Sequence, residues 1–168
     1  MPAEIDLDVR EGVDSLLDAE ELRAIAEAVL DAEGVERTCY VSVSIIDDEE
    51  MRATNLEWRD VDAATDVISL ECERPDDESL APDEPCELGD ILLAPAYIER
   101  QAAHFSTTPA DEMRLLYVHG LLHLLGYDHL DDDEAEAMEA REDELLGLVA
   151  TDGTLDHVII TRHREEQP

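Results

Sequence analysis

Half of the six histidines in this chain fall within eleven residues, at His119, His123 and His129 in the run VHGLLHLLGYDH. A four-residue step on an α-helix brings two side chains onto one face about 6 Å apart, so His119 and His123 stack as neighbours. Gly126 follows three residues later, where a positive φ lets the chain leave the helix and turn back. His129 then faces the same point from the exit loop. Three neutral imidazoles converging in this way leave a fourth tetrahedral position for water, the arrangement expected of a catalytic zinc site, whereas a structural site more often closes with cysteine. Any fold for this chain must therefore supply a helix and a return loop around one point. The remaining histidines, His104, His157 and His163, lack this spacing and read as ordinary.

The spacing HxxxHxxGxxH is also that of zinc proteases whose helix reads HExxHxxGxxH. Here Gly120 stands where their glutamate takes the proton from water, which weakens a peptidase reading. Gly120 has two explanations of equal weight, room beside a metal for a bulky substrate or close helix packing. Hydrolysis without that glutamate needs a second electrophile, and Arg59 is the candidate. It lies at the end of a short helix in NLEWRDVDAATDVISL, where a guanidinium can grip phosphate oxygens in a bidentate way. The competing role is a surface ion pair with Asp60 or Asp62, which spacing alone favours.

Alternation and capping signals give the elements around these residues. Ile5, Leu7 and Val9 alternate with acids as a half-buried strand, and Cys39, Val41, Val43 and Ile45 repeat the pattern. Asp18 with Glu21 opens a first helix, and Asp47 or Asp48 caps a second that runs towards Trp58. Thr65 to Glu71 and Gly89 to Ala94 complete four strands. Pro95 begins a helix ending near Phe105, Thr108 caps one that runs to Leu125, and an acidic helix from Asp131 or Asp132 ends by Gly147. His157 to Thr161 adds a short extended piece. Residues 73–87 form an exposed acidic loop with almost nothing to bury, and an extension begins at about residue 150. The prediction is an α+β fold, one metallohydrolase domain over residues 1–168 with a small mixed four-stranded sheet. The odd, widely spaced Cys39, Cys72 and Cys86 read as reduced thiols, mostly buried. With no apolar run of about eighteen residues and no leader at the start, the expected address is cytoplasmic, with no membrane association.

At this point the residues resemble a known family. HGLLHLLGYDH, with NxxWR at Asn55, Trp58 and Arg59, TDVIS at Thr65 to Ser69 and GDI at Gly89 to Ile91, is similar to the signature of the YbeY family of bacterial rRNA maturation endoribonucleases. The resemblance runs from about residue 40 to 146. It implies a single-domain metallohydrolase that cleaves single-stranded RNA, with the 16S rRNA precursor and the small ribosomal subunit as partners and DNA not expected. It further implies a role in 16S rRNA 3′ end processing and ribosome quality control. By the same match His119, His123 and His129 are the ligands of one Zn2+ per chain and Arg59 is the functional arginine. Ala64 and Leu70 depart from the family's usual proline and phenylalanine. Asp128, beside His129, is a candidate to orient a ligand imidazole, with capping or simple solvation equally weighted. Two other functions remain open, a zinc peptidase and a non-catalytic, zinc-stabilised protein bound to the ribosome.

Charge bears on the choice of substrate. The formal net charge is −35, and every one of the 11 basic residues is arginine, which speaks against a generic polyanion binder. Segments 51–70 and 95–130, which carry the motifs, together hold only −4 of that, leaving −31 elsewhere. Acid is concentrated away from the candidate site. A salt-rich cytoplasm, where the Debye length shrinks to about 3 Å at 1 M, would account for the coat.

Overall fold

The computed structural model describes residues 3–128 and 130–149. His129, the extension from about residue 150 and the extended piece expected at His157 to Thr161 lie outside the described residues. The elements in chain order are β1 (Ala3–Val9), α1 (Ala19–Ala32), β2 (Cys39–Ile45), α2 (Asp48–Arg59), β3 (Val67–Glu71), β4 (Cys86–Leu93), α3 (Pro95–His104), α4 (Pro109–Leu124) and α5 (Asp132–Leu146). The expected caps hold: the carboxylates of Asp18, Asp47 and Asp131 each accept the backbone N–H three residues on, at 2.8 Å. Thr108 does the same for Asp111 at 3.1 Å. Each satisfies one of the orphan donors that a helix leaves in its first turn.

The sheet order is β1-β2-β4-β3, with β1, β2 and β4 parallel and β3 antiparallel at the edge. This is the expected α+β fold with a small mixed four-stranded sheet. Successive strand residues point to opposite faces. On β4, Ile91 and Leu93 join the main core under α1 and α4, while Leu92 packs with Ile46, Met51, Ile68 and Ala94 on the other side. Gly89, at φ +144°, sits beside a register shift in the β2–β4 ladder. A Cβ there would lie 2.2 Å from the Leu70 carbonyl oxygen, so the GDI segment requires glycine for β3 to pair closely.

α4 lies against β3, β4, α1, α3 and α5 and is buried on nearly every side. The Tyr117 hydroxyl, fully buried, donates to the Leu22 carbonyl at 2.9 Å and locks α4 to α1. Arg114 and Arg141 reach Glu21 and Glu33 from α4 and α5, fixing both helices to α1. Cys39 and Cys86, opposite one another on β2 and β4, are buried, and Cys72 is exposed. Burial raises the Cys39 thiol and pushes that of Cys86 up to about 12, which keeps both inert. No helix among the described residues is long and apolar enough to cross a membrane.

The acidic stretch 73–87 is exposed along most of its length, with Leu80 and Cys86, where β4 begins, buried, and Arg37 donates to the carbonyls of Pro75 and Ala81 at 3.1 and 2.7 Å. A single arginine, just before β2, gathers its backbone.

Candidate active site

The buried setting of α4 controls its two histidines. His119 is 8% exposed and His123 half-buried, with ring centroids 4.5 Å apart and planes inclined by 80°. Their Nε2 atoms face each other at 3.0 Å. Both Nδ1 atoms are engaged elsewhere. His119 Nδ1 meets the carboxylate of Glu142, a fully buried side chain on α5, and His123 Nδ1 lies 3.0 Å from the Tyr127 carbonyl oxygen. A carbonyl and a carboxylate accept, so each Nδ1 donates, and a neutral ring is left with a lone pair on Nε2. Two lone pairs aimed at each other across 3.0 Å repel unless a shared proton or cation stands between them. This donor set fits a divalent ion of borderline softness, and each imidazole already has the outer partner that such ligands need for their tautomer and aim. Among the described residues no group of three or more His, Cys, Asp or Glu could hold a metal. His129, the third imidazole of the sequence reading, lies outside them.

Gly126 adopts φ +106°, and the chain turns back there, with the Tyr127 N–H donating to the Leu122 carbonyl at 3.0 Å. The turn thereby aims the Tyr127 carbonyl at His123. Gly120 is settled in favour of packing: a Cβ there would lie 3.0 Å from Ser69 Oγ and 3.3 Å from Ile91, so α4 seats on the sheet through this residue.

Arg59 comes to the same cleft from α2. Its helix ends in a left-handed residue, Asp60 at φ 57°, whose N–H returns to Leu56 at 3.2 Å. Buried Asn55 donates from Nδ2 to the Ala63 carbonyl at 2.8 Å and holds the following loop. Deeper in, the Gln101 amide bridges the carboxylates of Asp66 and Glu112 at 2.9 and 2.8 Å, tying the start of β3 to α3 and α4. The ion pair considered for Arg59 is absent among the described residues, because Asp62 is gripped by Arg52 at 2.7 and 3.1 Å. Every other described arginine is bound to a carboxylate or backbone carbonyl. Arg59, Trp58, His119, His123 and Asp128 all line one cleft of about 700 Å³.

The family model for endoribonuclease YbeY matches residues 9–150. The chain belongs to the YbeY family. The endoribonuclease YbeY of Chloroflexus aurantiacus is 40% identical over 147 residues, covering 86% of this chain and 94% of its own length. That of Azorhizobium caulinodans is 40% identical over 154 residues, covering 89% and 94%. The solution structure of TM1509 from Thermotoga maritima superposes with a TM-score of 0.58 at 23% identity, over 99% of this chain and 93% of that one, a likeness of fold. The YbeY match spans both walls of the cleft, from Arg59 to the histidine run.

Sequence reasoning missed Glu142. The signal was present: Ala135, Met138, Leu145 and Leu146 form the buried stripe of α5, and Glu142 sits within that stripe, a carboxylate where an apolar residue belongs. The outer acceptors of His119 and His123 are Glu142 and the Tyr127 carbonyl, and Asp128 lines the same cleft.

Proposed function

We propose that this protein is a zinc-dependent endoribonuclease of the cytoplasm that cleaves single-stranded RNA, acting with the small ribosomal subunit in 16S rRNA 3′ end maturation and ribosome quality control. The observation that carries the chemistry is the pair of inward-facing Nε2 atoms 3.0 Å apart, each backed by an acceptor at its Nδ1, in a cleft shared with Arg59. The substrate and the ribosomal setting rest on family membership. His119, His123 and His129 hold one Zn2+. When bound, the ion supplies charge neutralisation at the phosphate and a nucleophile from water at neutral pH.

The other residues position and stabilise. Glu142 and the Tyr127 carbonyl keep Nε2 of each imidazole unprotonated and aimed. Arg59 grips non-bridging phosphate oxygens and stabilises the negative charge that builds on them as water adds at phosphorus and the bond to the leaving oxygen breaks. Its lack of an acid partner among the described residues suits that work, since no ion pair must first be broken. A peptidase reading finds no support in the fold: position 120 bears no carboxylate and is pressed onto the sheet.

Purified protein is expected to hold about one zinc per chain and to cut single-stranded RNA, with cleavage lost on chelation and restored by zinc. Cleavage indifferent both to chelator and to His123→Ala would overturn the proposal. Zinc that supports the melting temperature of a protein with no RNase activity would favour the non-catalytic ribosome-bound reading instead.

A further inference from the structure

The chain has one tryptophan, Trp58, and it is 60% exposed. Aromatic residues make up only 4% of the sequence. A tryptophan ring standing in water at the mouth of a cleft with convergent polar groups is a natural contact for whatever enters it. Its place narrows the choice. Trp58 immediately precedes Arg59 at the end of α2, lines the same cleft as His119 and His123, and sits on a backbone held by the Asp60 turn and the Asn55 clamp.

We infer that Trp58 is the platform on which an unpaired base of the RNA stacks, while the neighbouring Arg59 takes a phosphate of the same strand. The inference rests on the RNA-cleavage reading and adds to it the residue that selects single strands. Three arguments support this occupant. An aromatic ring beside a guanidinium with no acid partner among the described residues matches the alternation of base and phosphate along a nucleic acid strand, and stacking on aromatic side chains tolerates any base sequence. A base inside a helix has both faces covered by its neighbours, so it can lie flat on an exposed ring only when unstacked, and the platform favours single strands. Finally, most nucleic-acid binders draw affinity from many basic contacts, and a chain of net charge −35 cannot. Stacking needs no positive charge. The same charge opposes a second copy of the chain as the occupant, because two such surfaces repel.

The single tryptophan makes its own reporter. Zinc-loaded protein is titrated with a short 2′-O-methyl oligoribonucleotide, which retains bases and phosphates but resists cleavage. The same strand in duplex and an abasic strand of equal phosphate number serve as comparisons. Tryptophan emission is expected to be quenched by the single strand and far less by duplex or abasic strand. In anisotropy measurements with a labelled strand, Trp58→Ala is expected to weaken single-strand binding about tenfold, the scale of one lost stacked base, and Trp58→Phe to recover most of it. Both variants should melt as the parent does, because the ring is largely outside the core. If the single strand binds yet emission is unmoved, or if the abasic strand quenches equally, stacking is overturned while the RNA reading stands. If no strand binds at all, the RNA reading fails and the stacking role with it. Emission that shifts with protein concentration alone would assign the ring to self-association and overturn the proposal.

Discussion

The two walls of the cleft are built on opposite terms. On the α4 wall both histidines are at least half-buried, each Nδ1 is satisfied by an outer acceptor, and the Nε2 atoms converge to 3.0 Å. On the α2 wall Trp58 and Arg59 are exposed, and only their backbone is fixed, by the left-handed Asp60 and the Asn55 clamp. On the proposed function this difference has a reason: a metal ion requires donors placed to within a fraction of an ångström, and side chains held from behind meet that need. A flexible strand of RNA tolerates partners that order on contact, at the cost of side-chain entropy of about 2 kcal/mol for an arginine. Rigidity is spent where the geometry is demanding.

This contrast yields graded expectations. Removing a donor from the rigid wall should have the largest effect: His123→Ala is expected to lower zinc affinity and RNA cleavage each by more than about a hundredfold, beyond what loss of an outer partner does, so that the purified variant holds little zinc. Metal analysis and a cleavage assay on one preparation check it, and full zinc content in the variant would break the comparison. On the open wall, Arg59→Ala should leave zinc content intact and reduce kcat by about 10²–10³, the scale of one lost donor at a developing charge. Arg59→Lys should recover only part, since an ammonium lacks the bidentate fork.

Glu142→Gln tests the backing of the rigid wall. The amide oxygen still accepts from His119 Nδ1 but carries no charge, so zinc affinity measured by chelator competition should fall about tenfold, at the lower end of outer-partner effects. Unchanged affinity would show that burial alone aims the imidazole. The smallest expectation concerns the acid coat outside the cleft. Melting temperature and cleavage rate should both rise modestly between low and molar KCl, as screening shortens to about 3 Å and carboxylate repulsion fades. A flat or falling response would disconnect the charge from any salt-rich setting.

Much of this architecture is legible along the chain. The alternation in β2, the aspartate caps of α1, α2 and α5 and the glycine exit after α4 each follow from local rules about which face is buried and which backbone donor lacks a partner. The cleft is legible in part. His119 and His123 meet because a helix repeats every 3.6 residues, and their proximity needs no other element. The ambiguity at Arg59 has a physical reason: Asp60 and Asp62 stand one and three residues away, and only the path of the chain after α2 delivers Asp62 to Arg52. Segment 73–87 reads as exposed from its composition and is mostly so, but composition does not report which carbonyls a distant Arg37 collects.

By itself, then, the sequence determined the helix that pairs two imidazoles, the turn that ends it and the capped elements that surround it, since each depends on residues within one or two turns of one another. Tertiary structure alone decided that Glu142 backs His119, that Gly120 is a seat for packing on β3 and β4, and that Arg59 faces the cleft without an acid partner among the described residues. Those outcomes join residues tens of positions apart, and such meetings are set by how α5, the sheet and the end of α2 bury their apolar faces together.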